Sequence, residues 1–214
     1  MRLGLHGVAE EDGAGRSLAS LVASLGAVTV SIRAAVGAAG PFPWDALLLS
    51  TPFGAGDDAQ PMRTAIEAFA RAGGPVLGIG GGFQSLCALG LLPGRVVARG
   101  AGVPAADSSH LRVEGRPTPF TSAIPAGRVL RSARAPSPLE YQIAEAEALQ
   151  ARGQVIFRYC DAAGGTTRPI ESIAGVCDQT GNVVGLLADP EIAGGDGAQL
   201  LGSLRMHHLK ARRA

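Results

Sequence analysis

Between Pro75 and Leu92 the chain runs through an apolar stretch, Pro75-Val76-Leu77-Gly78-Ile79, into Gly80-Gly81-Gly82 and then a helix-like pattern from Phe83 to Leu92. A buried strand that turns sharply into a helix is the layout of a nucleophile elbow. Such a turn holds its central residue in a strained conformation and aims that side chain at a cleft above the sheet. Small neighbours are required because the turn is crowded. Here the central residue is Gly80, which has no side chain to aim.

The elements around this turn read as an α/β protein. Strands are expected at Arg2 to Gly7, Ala27 to Arg33, Trp44 to Leu49 and Pro75 to Ile79, with helices at Glu11 to Leu25 and Pro61 to Ala72. Trp44 to Leu49 is apolar after Asp45, as a strand covered on both faces should be. The order βαββαβ implies a parallel sheet with helices on both sides. Ser50 to Asp58 reads as a Gly/Pro loop.

The second half changes character. Short strands are expected at Arg95 to Val97, Leu111 to Glu114, Gly127 to Ser132, Gln154 to Tyr159, Ile173 to Asp178 and Asn182 to Leu187. Thr180-Gly181-Asn182 joins the last two as a hairpin. Leu139 to Arg152 and Gly197 to Lys210 read as helices. The expectation is one domain over residues 1–214, parallel first and mixed later.

A formal net charge of +1 gives no electrostatic case for nucleic acid or an anionic membrane. The basic tail Lys210-Ala211-Arg212-Arg213 reads as a solvated end. No apolar run approaches the ~18–20 residues of a spanning helix. The first residues enter a short strand without the long apolar region of a signal peptide. Cys87, Cys160 and Cys177 show no CxxC spacing and read as buried reduced thiols of a cytoplasmic protein.

The motifs together resemble one family. They are Val76-Leu77-Gly78-Ile79 with Gly82-Phe83-Gln84, Gly90-Leu91-Leu92-Pro93-Gly94, Arg112-Val113-Glu114 and Thr118-Pro119-Phe120-Thr121. Further along come Gly153-Gln154-Val155-Ile156-Phe157-Arg158-Tyr159, Ile173-Ala174-Gly175, Gly181-Asn182-Val183-Val184-Gly185-Leu186 and Gly195-Asp196-Gly197. In this order they resemble the glutaminase subunits of phosphoribosylformylglycinamidine synthase, within the class I triad glutamine amidotransferases. The resemblance implies a flavodoxin-like, mostly parallel central sheet flanked by helices, with a mixed or antiparallel C-terminal part. It also implies chemistry. A Cys thiolate attacks the side-chain amide of glutamine, a His oriented by a Glu moves the proton, and backbone N–H groups hold the oxyanion.

Carried over residue by residue, that machinery is altered. The family's Gly-Ile-Cys-Asn-Gly-Phe-Gln-like motif places Gly80 at the nucleophile position and Gly81 at the Asn position. The Pro-His-Pro-Glu-like motif falls on Ala188-Asp189-Pro190-Glu191, so Asp189 stands at the base position and Glu191 is retained as the orienting Glu. The Pro-Gly-Gly-Phe oxyanion loop falls on Ser50-Thr51-Pro52-Phe53; Thr51 is bulkier than Gly, and Pro52 has no N–H to donate. A His-Gly-Glu-Gly-Arg-Tyr-like segment has become Pro136-Ser137-Pro138-Leu139-Glu140-Tyr141. An Asn-Pro-Asn-Gly-Ser-like loop has become Arg168-Pro169-Ile170-Glu171-Ser172.

No other residue type restores the site by spacing. Cys87 lies two helical turns past Gly80, on the order of 10 Å along the axis. His6, His110, His207 and His208 all miss the family's His position, and the last two are expected near the exposed face of the final helix. Gly80-Gly81-Gly82 lacks the Lys and Ser/Thr of a phosphate loop.

The expectation is therefore an inactive glutaminase-like subunit. It would support an ATP-dependent, synthetase-like large subunit, with or without a small bridging subunit, in purine or purine-like biosynthesis. No cofactor or metal is expected in this chain; ATP and magnesium belong to the partner. The alternative is a repurposed enzyme that binds a small molecule in the vacated cleft and uses Asp189 and Glu191 as an acid–base dyad. A working glutaminase is the least favoured reading. Asp189 and Glu191 are expected to face Gly80 across the cleft.

Overall fold

The computed structural model describes residues 1–6, 22, 26–32, 43–53, 60–99, 110–131, 139–166, 172–188 and 196–213. Among them, eleven strands form a nine-stranded sheet and a two-stranded one. The large sheet has the order β2-β1-β3-β4-β11-β10-β9-β6-β7. Its parallel half comprises β1 (Arg2–His6), β2 (Val28–Ser31), β3 (Ala46–Leu49), β4 (Val76–Ile79) and β11 (Val183–Leu186). From β11 outward the pairing is antiparallel, through β10 (Ile173–Cys177), β9 (Val155–Cys160), β6 (His110–Val113) and β7 (Val129–Arg131). The mostly parallel first half and mixed second half agree with the sequence reading.

Burial explains why these residues are strands. Every residue of β3, β4, β9, β10 and β11 is buried, as expected of apolar runs covered on both faces. Apart from Arg158 and Cys160 on β9, their side chains belong to one continuous apolar cluster. Helix α1 (Gln60–Arg71) connects β3 to β4 and buries Met62, Ile66, Phe69 and Ala70 on one face. The β10–β11 hairpin is tied by Asp178, whose carboxylate accepts from the backbone N–H groups of Thr180, Gly181 and Val183.

Two expectations change. The helix expected over Leu139–Arg152 is instead a strand, β8 (Leu139–Gln142), followed by a short helix, α3 (Ala146–Ala151). Strand β8 pairs antiparallel with β5 (Arg95–Ala98) to make the small sheet. Helix-favouring Leu, Glu and Gln are overridden there by tertiary contacts: the Tyr141 ring stacks on Phe83 at 5.2 Å, and its hydroxyl donates to the Pro93 carbonyl at 2.8 Å. The helix expected from Phe83 to Leu92 is α2 (Gly81–Ala88), starting two residues earlier and closing at the Leu89–Gly90 turn. The closing helix, α4, spans Gly197–Ala211. The helix expected over Glu11–Leu25 lies outside the described residues apart from Val22, which is buried.

Close approach of α2 to the sheet positions the site. Gly78 on β4 and Gly185 on β11 are register partners. A Cβ on Gly185 would fall 2.1 Å from the Phe83 ring, and one on Gly78 would fall 2.6 Å from a Leu86 methyl. Glycine at both positions lets the first turn of α2 lie directly on the β4–β11 pair.

Candidate functional site

The carboxyl ends of β1, β3, β4 and β11 converge on the Gly80 turn, the edge of a parallel sheet where α/β proteins place ligands. Gly80 has φ 53° and ψ −109°, a conformation in which L side chains are strained. Its N–H donates to the Leu186 carbonyl at 2.8 Å, and its carbonyl accepts from the Gln84 N–H at 3.1 Å. The strand–turn–helix expected from the sequence is therefore present, with the bend at Gly80. Among the described residues, a Cβ built there meets nothing within 4 Å.

The two following glycines are crowded. A Cβ on Gly82 would come within 2.0 Å of the Leu49 carbonyl oxygen. One on Gly81 would come within 2.3 Å of Pro52 Cδ and 2.7 Å of Pro52 N. The loop after β3 thus lies over the turn, with Thr51 and Pro52 against Gly81. It is pinned there by the Phe53 N–H, which donates to Ser85 Oγ on α2 at 2.9 Å. Ser85 is buried, and the Phe53 ring packs against His6 at 5.0 Å. On the other side the Ser50 N–H donates to the His6 carbonyl at 3.0 Å.

The sequence reading did not anticipate the parts played by Ser85, His6 and Tyr141. Only Tyr141 carried a signal, an aromatic residue in a segment that otherwise departs from the resembled motif. Asp189, Pro190 and Glu191 lie outside the described residues, as do Pro136–Pro138 and Arg168–Glu171. The chain approaches the first of these segments from the turn: Leu186, which accepts the Gly80 N–H, is three residues before Asp189.

The thiols are poor stand-ins for a nucleophile at residue 80. Burial pushes the Cys87 thiol up to about 12 from its ordinary 9, and its Sγ lies 3.7 Å from the Pro93 carbonyl. Burial also raises Cys160 and Cys177. Cys160 ends β9, three strand spacings from β4, or about 14 Å. Cys177 pairs with Val184, toward the opposite end of β11 from Leu186. All three are free thiols, as the spacing implied, with Cys160 and Cys177 buried and Cys87 half-buried. His207 and His208 are half-buried on α4 rather than on its exposed face, and burial lowers the His207 pKa. Among the described residues, no group of three or more His, Cys, Asp or Glu side chains is placed to hold a metal ion. Nor, among them, is any helix long and apolar enough to cross a membrane.

Known proteins share both the sequence and the fold. The chain is 35% identical over 192 residues to the phosphoribosylformylglycinamidine synthase subunit PurQ of Symbiobacterium thermophilum, spanning 79% of this chain and 81% of that protein. It is 41% identical over 139 residues to PurQ of Nitrobacter winogradskyi, spanning 61% of this chain and 60% of that protein's length. A chain of the solved PurLQS structure from Thermotoga maritima superposes with a TM-score of 0.68 at 26% identity, over 96% of this chain and 97% of that one. A glutamine amidotransferase from Thermotoga maritima shares the fold alone, with a TM-score of 0.52 at 16% identity over 87% of this chain and 74% of that one. No protein-family model matches the chain. The extent of the similarity to the Symbiobacterium protein shows that the chain belongs to the PurQ family of phosphoribosylformylglycinamidine synthase subunits.

Proposed function

We propose that this chain is a catalytically inactive member of that family, which binds and supports a phosphoribosylformylglycinamidine synthase-like, ATP-dependent synthetase in purine or purine-like biosynthesis. The observation that carries the proposal is the Gly80 turn. It keeps the strained bend of an elbow and offers no side chain. Loss of the nucleophile or base of such a site costs on the order of a million-fold in kcat in a comparable hydrolase. The family's base position holds Asp189, which cannot supply an imidazole. The body of the fold, by contrast, aligns with nearly the whole of the Thermotoga chain. A body kept without its reactive groups is suited to holding a partner in its active conformation. The relatives' names point to the partner class, a PurL-like synthetase, with ATP and magnesium held by that subunit and not by this chain. Three free thiols suit a reducing cytoplasm.

The test is affinity capture of the tagged chain from its native cells, with mass spectrometry of what accompanies it, followed by assay of the captured synthetase with and without this chain. Capture of a large ATP-binding synthetase whose activity falls when the chain is removed supports the proposal. Absence of such a partner, or activity unchanged on removal, overturns it.

The open space at Gly80 favours a second reading, a small-molecule site that uses Asp189 and Glu191. Saturable binding of a metabolite by the chain alone, abolished in Asp189→Ala with Glu191→Ala, would favour it over the scaffold.

A further inference from the structure

We propose that Pro52 closes the acyl-oxygen pocket of this turn, so that the place for a substrate carbonyl is filled while half-buried Gly80 keeps room for a side chain among the described residues. This holds whether or not the chain supports a synthetase. It assigns a specificity-determining role to a residue outside the nucleophile and base positions.

In an elbow that performs acyl transfer, the developing oxyanion sits between two backbone N–H groups. One belongs to the residue after the elbow and the other to the loop facing it. Here those places fall to Gly81 and to residues 50–53. Each donor must stand about 2.7–3.1 Å from the oxygen, so an oxygen-sized gap has to lie between them.

Three observations close that gap. In proline the ring carbon Cδ takes the direction of the missing N–H proton, so at residue 52 a methylene points where a donor would. That Cδ and the Pro52 nitrogen come within 2.3 and 2.7 Å of the place a Gly81 Cβ would occupy, and the Thr51 carbonyl carbon comes within 3.2 Å. The Pro52 ring therefore covers the Cα of Gly81 so closely that no carbon atom fits between them, and it stands beside the Gly81 N–H. The next donor along the loop, the Phe53 N–H, is engaged by Ser85 Oγ at 2.9 Å. Because Ser85 is buried on α2, this bond anchors the loop to the same helix whose first residue Pro52 covers. Residue 80 differs: a Cβ there meets none of the described residues within 4 Å. Glycine at 81 and proline at 52 thus fit each other and exclude an amide or ester carbonyl, glutamine's included.

The test introduces a thiol by Gly80→Cys into the full chain and compares two reagents. Iodoacetamide alkylates a thiolate by displacement and needs no oxyanion donor. p-Nitrophenyl acetate transfers its acetyl group to the thiolate, expels p-nitrophenolate and passes through an oxyanion. Background from the native thiols is subtracted with the unsubstituted chain. The expected ratio of acylation to alkylation for Gly80→Cys equals that of a short cysteine peptide. In Gly80→Cys with Pro52→Gly the ratio rises at least tenfold at unchanged alkylation rate. A raised ratio in Gly80→Cys alone, or no rise on replacing Pro52, overturns the proposal.

A second comparison needs no change at residue 80. Gly81→Ala should lower the unfolding temperature sharply in the native background, and Pro52→Gly should restore most of the loss. Equal losses in the two backgrounds would show that the ring does not stand against Gly81 and would also overturn the proposal.

Discussion

Replacing Gly80 and Gly82 by alanine separates backbone strain from steric collision within a single turn. At Gly80 an added Cβ touches none of the described residues, and the penalty comes from φ 53°. A non-glycine residue held in such a region costs about 1–3 kcal/mol. Alanine in place of glycine returns about 0.4–1 kcal/mol by restricting the unfolded chain. The expected net loss for Gly80→Ala is therefore about 1–2 kcal/mol. At Gly82 the Cβ falls 2.0 Å from the Leu49 carbonyl oxygen and 2.5 Å from its carbonyl carbon. Both are main-chain atoms of a central strand and cannot rotate aside, so α2 must lift off β3. Overpacking of this kind costs about 3 kcal/mol or more, at the upper end of such substitutions, even after the helix-propensity gain of alanine.

Thermal unfolding reads the difference. At about 2–4 °C per kcal/mol for a chain of this size, Gly80→Ala should lower Tm by about 2–8 °C and Gly82→Ala by about 6–12 °C or more. Urea midpoints with unchanged m-values provide the check against a change in the denatured state. A Gly80→Ala loss equal to or larger than that of Gly82→Ala would refute the claim that residue 80 faces open space.

Three further outcomes are expected. Arg158 is only 2% exposed, with its Nε donating to Glu114 Oε2 at 2.8 Å and its Nη2 donating to Gln150 Oε1 at 2.8 Å. Glu114→Gln should therefore cost about 3–5 kcal/mol in urea unfolding by leaving a buried cation unpaired, whereas Arg112→Ala, at a partly exposed partner of the same carboxylate, should cost under about 1 kcal/mol. The Cys87 thiol ordinarily ionises near 9 and does so near 12 in the folded chain, so its contribution to stability is full below pH 9 and is lost as pH rises from 9 through 12. Stopped-flow titration with a disulfide reagent at pH 8 should show Cys87 reacting much more slowly in the folded chain than after unfolding; equal rates would contradict its raised ionisation. Finally, the purified chain should release no ammonia from glutamine above the rate in buffer, and turnover that persists after exhaustive repurification would overturn its assignment as inactive.

The sequence revealed the elements whose burial leaves a one-dimensional trace. β3, β4, β9 and β11 are apolar runs bounded by turn residues, and α1 shows its Met62, Ile66 and Phe69 stripe. The Gly80 bend was legible because only small residues tolerate that strand-to-helix crossing. β8 was misread because Leu139, Glu140 and Gln142 favour helix locally, while the contacts that make them a strand come from β5, Phe83 and Pro93, distant in sequence. At the site, the missing N–H of Pro52 could be read from the residue type alone. The collision between its ring and residue 81 could not, because it depends on how far the loop after β3 is drawn onto α2 by Phe53 and Ser85.

The place of β11 has a consequence for the order in which the protein is built. β4 is flanked by β3 on one side and on the other by β11, whose Val183 pairs with Val76, roughly a hundred residues earlier in the chain. As the polypeptide leaves the ribosome, β1, β3 and β4 are available early. Until the C-terminal hairpin emerges, β4 presents an open edge of apolar main chain. That interval is the vulnerable period of synthesis, when another copy of the nascent chain can pair with the exposed edge. The Gly80 turn is completed only at its end, because its N–H finds its acceptor on β11.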